Sequence, residues 1–356
     1  MKVLFVIPTL SSGGAERVMS LLANNWVKRN NVTVHLVLLV STEDFYEIDD
    51  RVVVHRLGFK VNQAGLMRYF GVIKILFLLR SLIKKERPNR VLSFMSKYNL
   101  ITLIAAIGFG IKVFVSERDS PEVVQPMLIK YLRRLIYPLA QGVIAQTEHY
   151  KSFIQEDVRC KSVYVIQNPV RDTLIKTDYK KEKIILNVGR LVPDKGQNFL
   201  IHAFSLLENA HDWRLVILGD GPLRNELTLY ARDLGVENRV FFQGAVKNVD
   251  EWLCKSTVFA FSSISEGFPN ALAEAMVSGL PCVSFDCVAG PRDIINDGVN
   301  GYLVELKDVQ LFSNRLADLI KDEVLRDRFS IEARKILQNL NETKICSKYF
   351  DVIVGE

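Results

Sequence analysis

Two doubly wound α/β domains built on parallel sheets are predicted for this 356-residue chain. Short apolar runs alternate with helical patterns along almost its whole length, and the series runs through twice. The chain is also longer than the roughly 100 to 200 residues usual for one domain. Strands that alternate with helices, and that are apolar throughout, belong to parallel sheets covered on both faces.

In the first half the runs are "KVLFVIPTL", "NVTVHLVLLV", "NRVLSFM", "IKVFVSE", "GVIAQT" and "SVYVIQN". The second half repeats the scheme with "KIILNVGRL", "WRLVILGDG", "RVFFQGA", "VFAFSS", "PCVSFD" and "GYLVE". The polar stretch "RDTLIKTDYKKEK", 171–183, marks the seam. The boundaries predicted are 1–170 for a first domain and 171–339 for a second, with a last helix, about 340–356, packing back on the first.

Hydrophobic residues make up 49% and charged residues 24%, a balance with ample core and no low-complexity segment. "MKVLFVIPTL" reads as a buried first strand rather than a signal peptide. No run reaches the roughly 20 apolar residues of a membrane span. Five scattered cysteines without a C-x-x-C pair suit reduced cytosolic thiols. Residues 1–170 carry a net charge of +10 and residues 171–356 a net of −4, so the first half is expected to meet an anionic partner or surface.

In doubly wound folds ligands bind beyond the carboxyl ends of the strands, so the strand-to-helix loops carry the candidate residues. "SSGGAER" after the first strand places Gly13 and Gly14 at a helix start, either as turn geometry or as backbone N–H groups open to an anion. "GRLVPDKG" puts Arg190 and Lys195 in one loop, where they are either solvated cations or a fork and a mobile ammonium for a diphosphate. In "SEGFPNALAEAM", Pro269 suits a first helical position, with Glu266 just before the helix and Glu274 just inside it. The N–H groups of Phe268, Asn270 and Ala271 are then expected to be open to an anion. Two acids beside an anion site point to hydroxyls attached to that anion, as on a sugar nucleotide. "LGDGPLRNEL" is read as turn chemistry.

Together these residues resemble the retaining glycosyltransferases of family 4. The likeness runs in order through "SGGAER", "SER" at 116–118, "NP" at 168–169, "GRLVPDKG", "LGDGPLRNEL", "FQGAV", the E-x7-E pair Glu266 and Glu274, and "GPRDII". The resemblance implies the GT-B fold, two Rossmann-like domains facing across a cleft. It implies that Arg190 and Lys195 bind the donor diphosphate and that Glu274 binds the ribose. Glu266 with Gly267, Phe268, Pro269, Asn270 and Ala271 would hold the donor sugar and β-phosphate, Gly244 would lie by the base, and Gly14 would approach the donor phosphate. Arg190, Lys195 and Glu266 are the catalytic candidates. Glu117 and Arg118 stand where relatives often carry a histidine, and with Gly13 they are assigned to the acceptor side.

The expected reaction is retaining transfer from UDP-HexNAc or UDP-hexose to a polyprenyl-diphosphate-linked or lipopolysaccharide glycan. The alternatives are a GT-B UDP-sugar epimerase and a non-enzymatic basic peripheral membrane protein. Neither cofactor nor metal is expected, because His35, His55, His149, His202 and His211 lack ligand spacing and no D-x-D pair occurs. Basic residues interleaved with apolar ones favour lipid over nucleic acid as a partner.

"LMRYFGVIKILFLLRSLIKKER", 66–87, places Lys74, Arg80, Lys84, Lys85 and Arg87 on one helical face, with Val72, Ile75, Leu79, Leu82 and Ile83 opposite. Phe70, Ile73 and Phe77 fall among the cations, as on a helix lying on an anionic bilayer. Lys74, Arg80 and Lys84, with Arg133 and Arg134 nearby, are the candidate acceptor contacts at the cytoplasmic face of the inner membrane.

Overall fold

The computed structural model describes residues 1–11, 13–59, 66–120, 125–170, 179–208, 210–288 and 290–355. Ser12 and most of the expected seam, 171–178, lie outside the described residues. The chain divides into two compact units, Met1–Pro169 with Glu342–Glu356, and Val170–Asn341.

Unit 1 holds a seven-stranded parallel sheet of β1 (Lys2–Ile7), β2 (Thr33–Val40), β3 (Val53–Phe59), β4 (Arg90–Phe94), β5 (Lys112–Ser116), β6 (Gly142–Ala145) and β7 (Val163–Val165). Its order is β3-β2-β1-β4-β5-β6-β7. The chain winds outward from β1 to β3, then returns and winds the other way from β4. The switch point therefore lies between β1 and β4.

Alternate residues of each strand supply two cores. Phe5, Ile7, Leu36 and Leu38 pack under α1 (Gly14–Trp26) and the C-terminal helix. Leu4, Val6, Val37 and Leu39 pack under α2 (Leu66–Glu86), α3 (Ser96–Ala106), α4 (Met127–Ile136) and α5 (Glu148–Asp157).

Unit 2 holds six parallel strands, β8 (Ile184–Val188), β9 (Arg214–Leu218), β10 (Val240–Gly244), β11 (Val258–Phe261), β12 (Cys282–Phe285) and β13 (Tyr302–Val304). Their order is β10-β9-β8-β11-β12-β13, with the switch point between β8 and β11. One face carries α6 (Gln197–Ser205), α7 (Arg224–Asp233) and, later in the chain, α11 (Val309–Lys321). The other carries α8 (Val249–Lys255) and α9 (Asn270–Val277). The short α10 (Pro291–Ile294) follows β12, and α12 (Glu323–Arg334) and α13 (Leu337–Leu340) close the unit.

The last helix, α14 (Glu342–Val354), belongs to unit 1. Trp26 Nε1 of α1 donates to the Cys346 carbonyl at 3.1 Å, Arg29 Nη2 donates to Ser347 Oγ at 2.9 Å, and Phe350 meets the Trp26 ring edge-on. Both units are Rossmann-like, as the alternating runs predict. Among the described residues, one strand was not anticipated: β3, an edge strand whose "VVHRLGF" mixes His55 and Arg56 into the apolar pattern.

Candidate active site

The unit 2 switch point is built by backbone contact between loops. Gly196 has φ +59°, and a Cβ there would lie 2.3 Å from the Ser262 carbonyl oxygen, so only glycine lets the loop after β8 approach the loop after β11 so closely. Ser262 Oγ donates to the Lys195 carbonyl at 2.8 Å, and the Ile264 amide donates to the Asp194 carbonyl at 2.9 Å. These bonds place Lys195 beside Glu266, and Lys195 Nζ donates to Glu266 Oε1 at 2.6 Å. Both side chains are largely buried, at 22% and 11% exposure, which screens the pair less than a surface ion pair.

Arg190, in the same loop, is exposed. Its carbonyl accepts from Gln197 Nε2 at 3.0 Å, which fixes the turn from below. Gln197 is buried and was not singled out from the sequence. The turn after β9 adds a third wall. The Leu191 amide donates to the Asp220 carbonyl at 3.0 Å, and the Gly219 amide donates to the Gly244 carbonyl at 2.8 Å. A Cβ on Gly219 would stand 2.0 Å from the Gly189 carbonyl, and one on Gly221 2.4 Å from the Leu191 carbonyl. "LGDGPLRNEL" is thus a packing device as much as a turn.

The E-x7-E helix starts one residue later than the sequence suggests. Pro269 is the N-cap, α9 begins at Asn270, and the Asn270 amide donates to the Phe268 carbonyl at 2.9 Å. That amide is therefore not open to an anion, which corrects the expectation for it. Gly267 is half-buried and Ala271 partly exposed, while Phe268 packs in the core below. Glu274 lies one turn into α9 and is partly exposed. Gly290, at φ +122°, would put a Cβ 2.4 Å from Pro269 Cδ, so "GPRDII" serves to seat the start of α9. Behind Glu266, burial pushes the Cys287 thiol up to about 12, aided by the Glu266 charge.

In unit 1, Gly13 and Gly14 follow β1 at that unit's own switch point. Beneath them sits the buried carboxylate of Glu16, which accepts from Thr9 Oγ1 at 3.2 Å and Ser11 Oγ at 3.3 Å. A Cβ on Gly13 would stand 2.1 Å from Glu16 Oε2, so the first glycine makes room for this acid. The Gly13 amide is itself engaged, donating to the Ser11 carbonyl at 2.8 Å.

Of the expected acceptor-side residues, Glu117, Arg118, Arg133 and Arg80 require correction. Glu117 is 0% exposed: Ser96, Tyr137 and Tyr150 donate their hydroxyls to it, and Arg133 Nη2 lies 3.6 Å away. Burial and the Glu117 charge raise Tyr137 well above its ordinary value, which keeps its hydroxyl a donor. A carboxylate closed in this way does not face an acceptor. Arg118 stacks over Phe94 at 3.8 Å and donates to Asn168 Oδ1 and the Tyr349 hydroxyl, tying α14 to the sheet. Arg133, at 3% exposure, is a partner for Glu117 and cannot reach a membrane. Arg80 donates to the Ala105 and Ile107 carbonyls at 3.0 and 2.7 Å and lies over Phe109, so it caps the end of α3. Arg134 pairs with Asp157 at 3.0 Å.

Lys74 and Lys84 are exposed on α2 as expected. Val72, expected to be covered, is exposed together with Phe70 (68%), Ile73 and Phe77 (67%). On the same sheet face, beyond α3, α4 exposes Met127 (81%), Leu128, Tyr131 and Leu135. No described helix is long and apolar enough to cross a membrane.

Residues 12–174 match the model of Glycosyltransferase Family 4, and residues 173–336 match that of Glycosyl transferases group 1. The amylovoran biosynthesis glycosyltransferase AmsD of Erwinia amylovora is 30% identical, over 99% of this chain and 99% of its own. The chain belongs to glycosyltransferase family 4. Another relative of this family 4 glycosyltransferase is 27% identical, over 99% of this chain and 98% of its own. It is the GalNAc-alpha-(1->4)-GalNAc-alpha-(1->3)-diNAcBac-PP-undecaprenol alpha-1,4-N-acetyl-D-galactosaminyltransferase of Campylobacter jejuni. Among solved structures, the lipopolysaccharide outer core galactosyltransferase WaaB matches with a TM-score of 0.78 at 22% identity, covering 99% of this chain and 98% of WaaB. Anabaena HepE in complex with UDP and glucose matches at 0.77 and 21%, covering 99% of both chains. The family 4 glycosyltransferase therefore has the GT-B fold.

Proposed function

We propose that this glycosyltransferase moves a hexose or HexNAc from UDP, with retention, to a membrane-associated glycan carried on a polyprenyl diphosphate or a lipopolysaccharide. The observation that carries the reading is the Lys195–Glu266 pair at the unit 2 switch point, with Arg190 in the same loop. In this reading the two cations bind the donor diphosphate and the start of α9 takes the β-phosphate. Glu266 positions the donor sugar, Glu274 the ribose, and Gly244 the base. As the bond from the anomeric carbon to the diphosphate oxygen breaks, negative charge grows on that oxygen, where fixed donors stabilise it most. The acceptor hydroxyl attacks the same face, and its proton passes to the departing oxygen. Protein cations supply the charge that a divalent ion would otherwise bring.

The UDP complex of HepE supports the choice of nucleotide, and the acceptor named for the Campylobacter relative supports a lipid-linked glycan. The exposed apolar side chains of α2 and α4, with Lys74 and Lys84, suit an anionic membrane surface on the cytoplasmic side of the inner membrane. Saturation-transfer NMR across a panel of UDP- and GDP-sugars, followed by the anomeric configuration of the product, tests the assignment. Binding of UDP-sugars and an α-linked product are expected. Isomerisation of the sugar nucleotide without an acceptor would make the chain an epimerase instead.

A further inference from the structure

We propose that His35, His55 and Glu86 form a binding site for a divalent ion of the zinc class, which fastens the end of α2 to the sheet of unit 1. The three residues come from three elements: β2, the edge strand β3, and the last position of α2. Parallel register sets His35 opposite Leu4 and Val53, and His55 opposite Val37. Both histidines thus share the sheet face of Val37 and Leu39, which α2 covers with Ile75, Leu79 and Ile83. They lie toward the amino ends of the strands, away from the loops after β1 and β4 at the carboxyl ends.

The donor atoms are already gathered. His35 Nδ1 is 2.9 Å from His55 Nε2 and 3.5 Å from Glu86 Oε2, and one ligand atom from each of the three residues lies within 4.8 Å of the others. A tetrahedral zinc ion with bonds near 2.0–2.1 Å sets its ligand atoms about 3.4 Å apart, so small side-chain rotations suffice. Two imidazoles and one carboxylate make a borderline donor set that suits zinc over magnesium or calcium, with water in the fourth position.

Without the ion, one imidazole N–H points at the other ring's lone pair. Taking up the ion moves that proton to the second nitrogen of the same ring, so both rings stay neutral and no proton is released. Lys2 is the competitor: its Nζ donates to Glu86 Oε2 at 2.8 Å. It also donates to the Glu86 backbone carbonyl at 2.9 Å, so the ammonium keeps a partner when the carboxylate turns to an ion.

The test uses the full chain without a polyhistidine tag, stripped with chelator and titrated with Zn2+ by calorimetry and with Co2+ by its visible d–d bands. One equivalent should bind, with bands of tetrahedral intensity and a raised unfolding temperature. His55→Ala and Glu86→Gln should each weaken binding by about tenfold or more, and Lys2→Met should tighten it. His55 lies on an edge strand, so its variant carries the test should His35→Ala fail to fold. Absence of binding, or zinc binding kept in both His55→Ala and Glu86→Gln, would overturn the proposal and leave a hydrogen bond and an ion pair of purely structural use. Neither result bears on the donor site, which lies in unit 2.

Discussion

Lys195 and Glu266 stand 2.6 Å apart on loops from opposite sides of the unit 2 switch point, one after β8 and the other after β11. The pair joins the loops after two adjacent strands from which the chain winds in opposite directions across the sheet. In the proposed reaction, a cation held by a carboxylate is kept in place before any phosphate is bound. It is then ready to exchange part of that contact for a phosphate.

Glu266→Gln separates positioning from anion binding. Turnover should fall about 10²- to 10³-fold, the loss expected when one preorganised polar partner is removed. UDP affinity should hold or rise, because the Lys195 ammonium is released. Steady-state kinetics paired with UDP titration checks both, and loss of UDP binding would argue against this division of roles.

Gly219→Ala and Gly235→Ala differ in a way that isolates close packing from backbone conformation. Both glycines have positive φ, but a Cβ at Gly235 meets nothing within 4 Å, whereas at Gly219 it strikes the Gly189 carbonyl. The first change should cost about 2–4 kcal/mol and lower activity; the second should cost about 1 kcal/mol and leave activity alone. Denaturant unfolding and an activity assay report the contrast, and equal costs would show that the loop packing is unimportant.

Membrane affinity should depend on the exposed rings of α2. Phe70→Ser and Phe77→Ser each remove an apolar group worth about 1.5–3 kcal/mol when buried, so binding to anionic vesicles should fall roughly 10- to 100-fold per site. Lys74→Glu with Lys84→Glu should weaken it further and blunt its salt dependence. Arg80→Glu should lower thermal stability instead. Vesicle co-sedimentation that is indifferent to both phenylalanines would remove the membrane reading.

Burial pushes the thiols of Cys160 up to about 11 and of Cys287 and Cys346 up to about 12. At pH 8 a thiol near 11 is ionised in only about one part in a thousand, so iodoacetamide should leave these three unmodified in the folded protein. Their folded values are raised, so the stability they contribute is full below the ordinary thiol value of about 8.5. It is lost as pH climbs toward 11 and 12, because the unfolded chain sheds its protons first. Mass spectrometry of alkylated protein and urea midpoints from pH 7 to 10 measure both effects. Rapid native labelling of Cys287 at pH 8 would contradict the burial argument.

Much of the fold was legible because apolar runs of four to eight residues between turn signals mark covered parallel strands. β3 escaped notice because an edge strand is half exposed and tolerates His55 and Arg56. The same blind spot hid the His35–His55 pair, since spacing along one element says nothing about residues brought together by sheet register. The meeting of the loops after β8 and β11, proposed to hold the donor, was suggested by Arg190, Lys195 and Glu266, whereas Gln197 beneath them carried no signal beyond an ordinary helix start. Cations were over-read on the acceptor side: a helical wheel places Arg80 on an outer face and Arg133 was added as a nearby cation, but one guanidinium reaches back to carbonyls and the other to a buried acid. Val72 failed the other way, because α2 is covered on a narrower stripe than its apolar pattern suggests.

The most direct test is the affinity of UDP alone, by calorimetry, for the native chain and for Arg190→Met and Lys195→Met. Each removed cation should weaken UDP about 10- to 100-fold, as loss of a charge-assisted hydrogen bond of about 1.5–3 kcal/mol requires. Unchanged UDP affinity in both variants, with the fold intact, would contradict the claim that these loops hold the donor diphosphate.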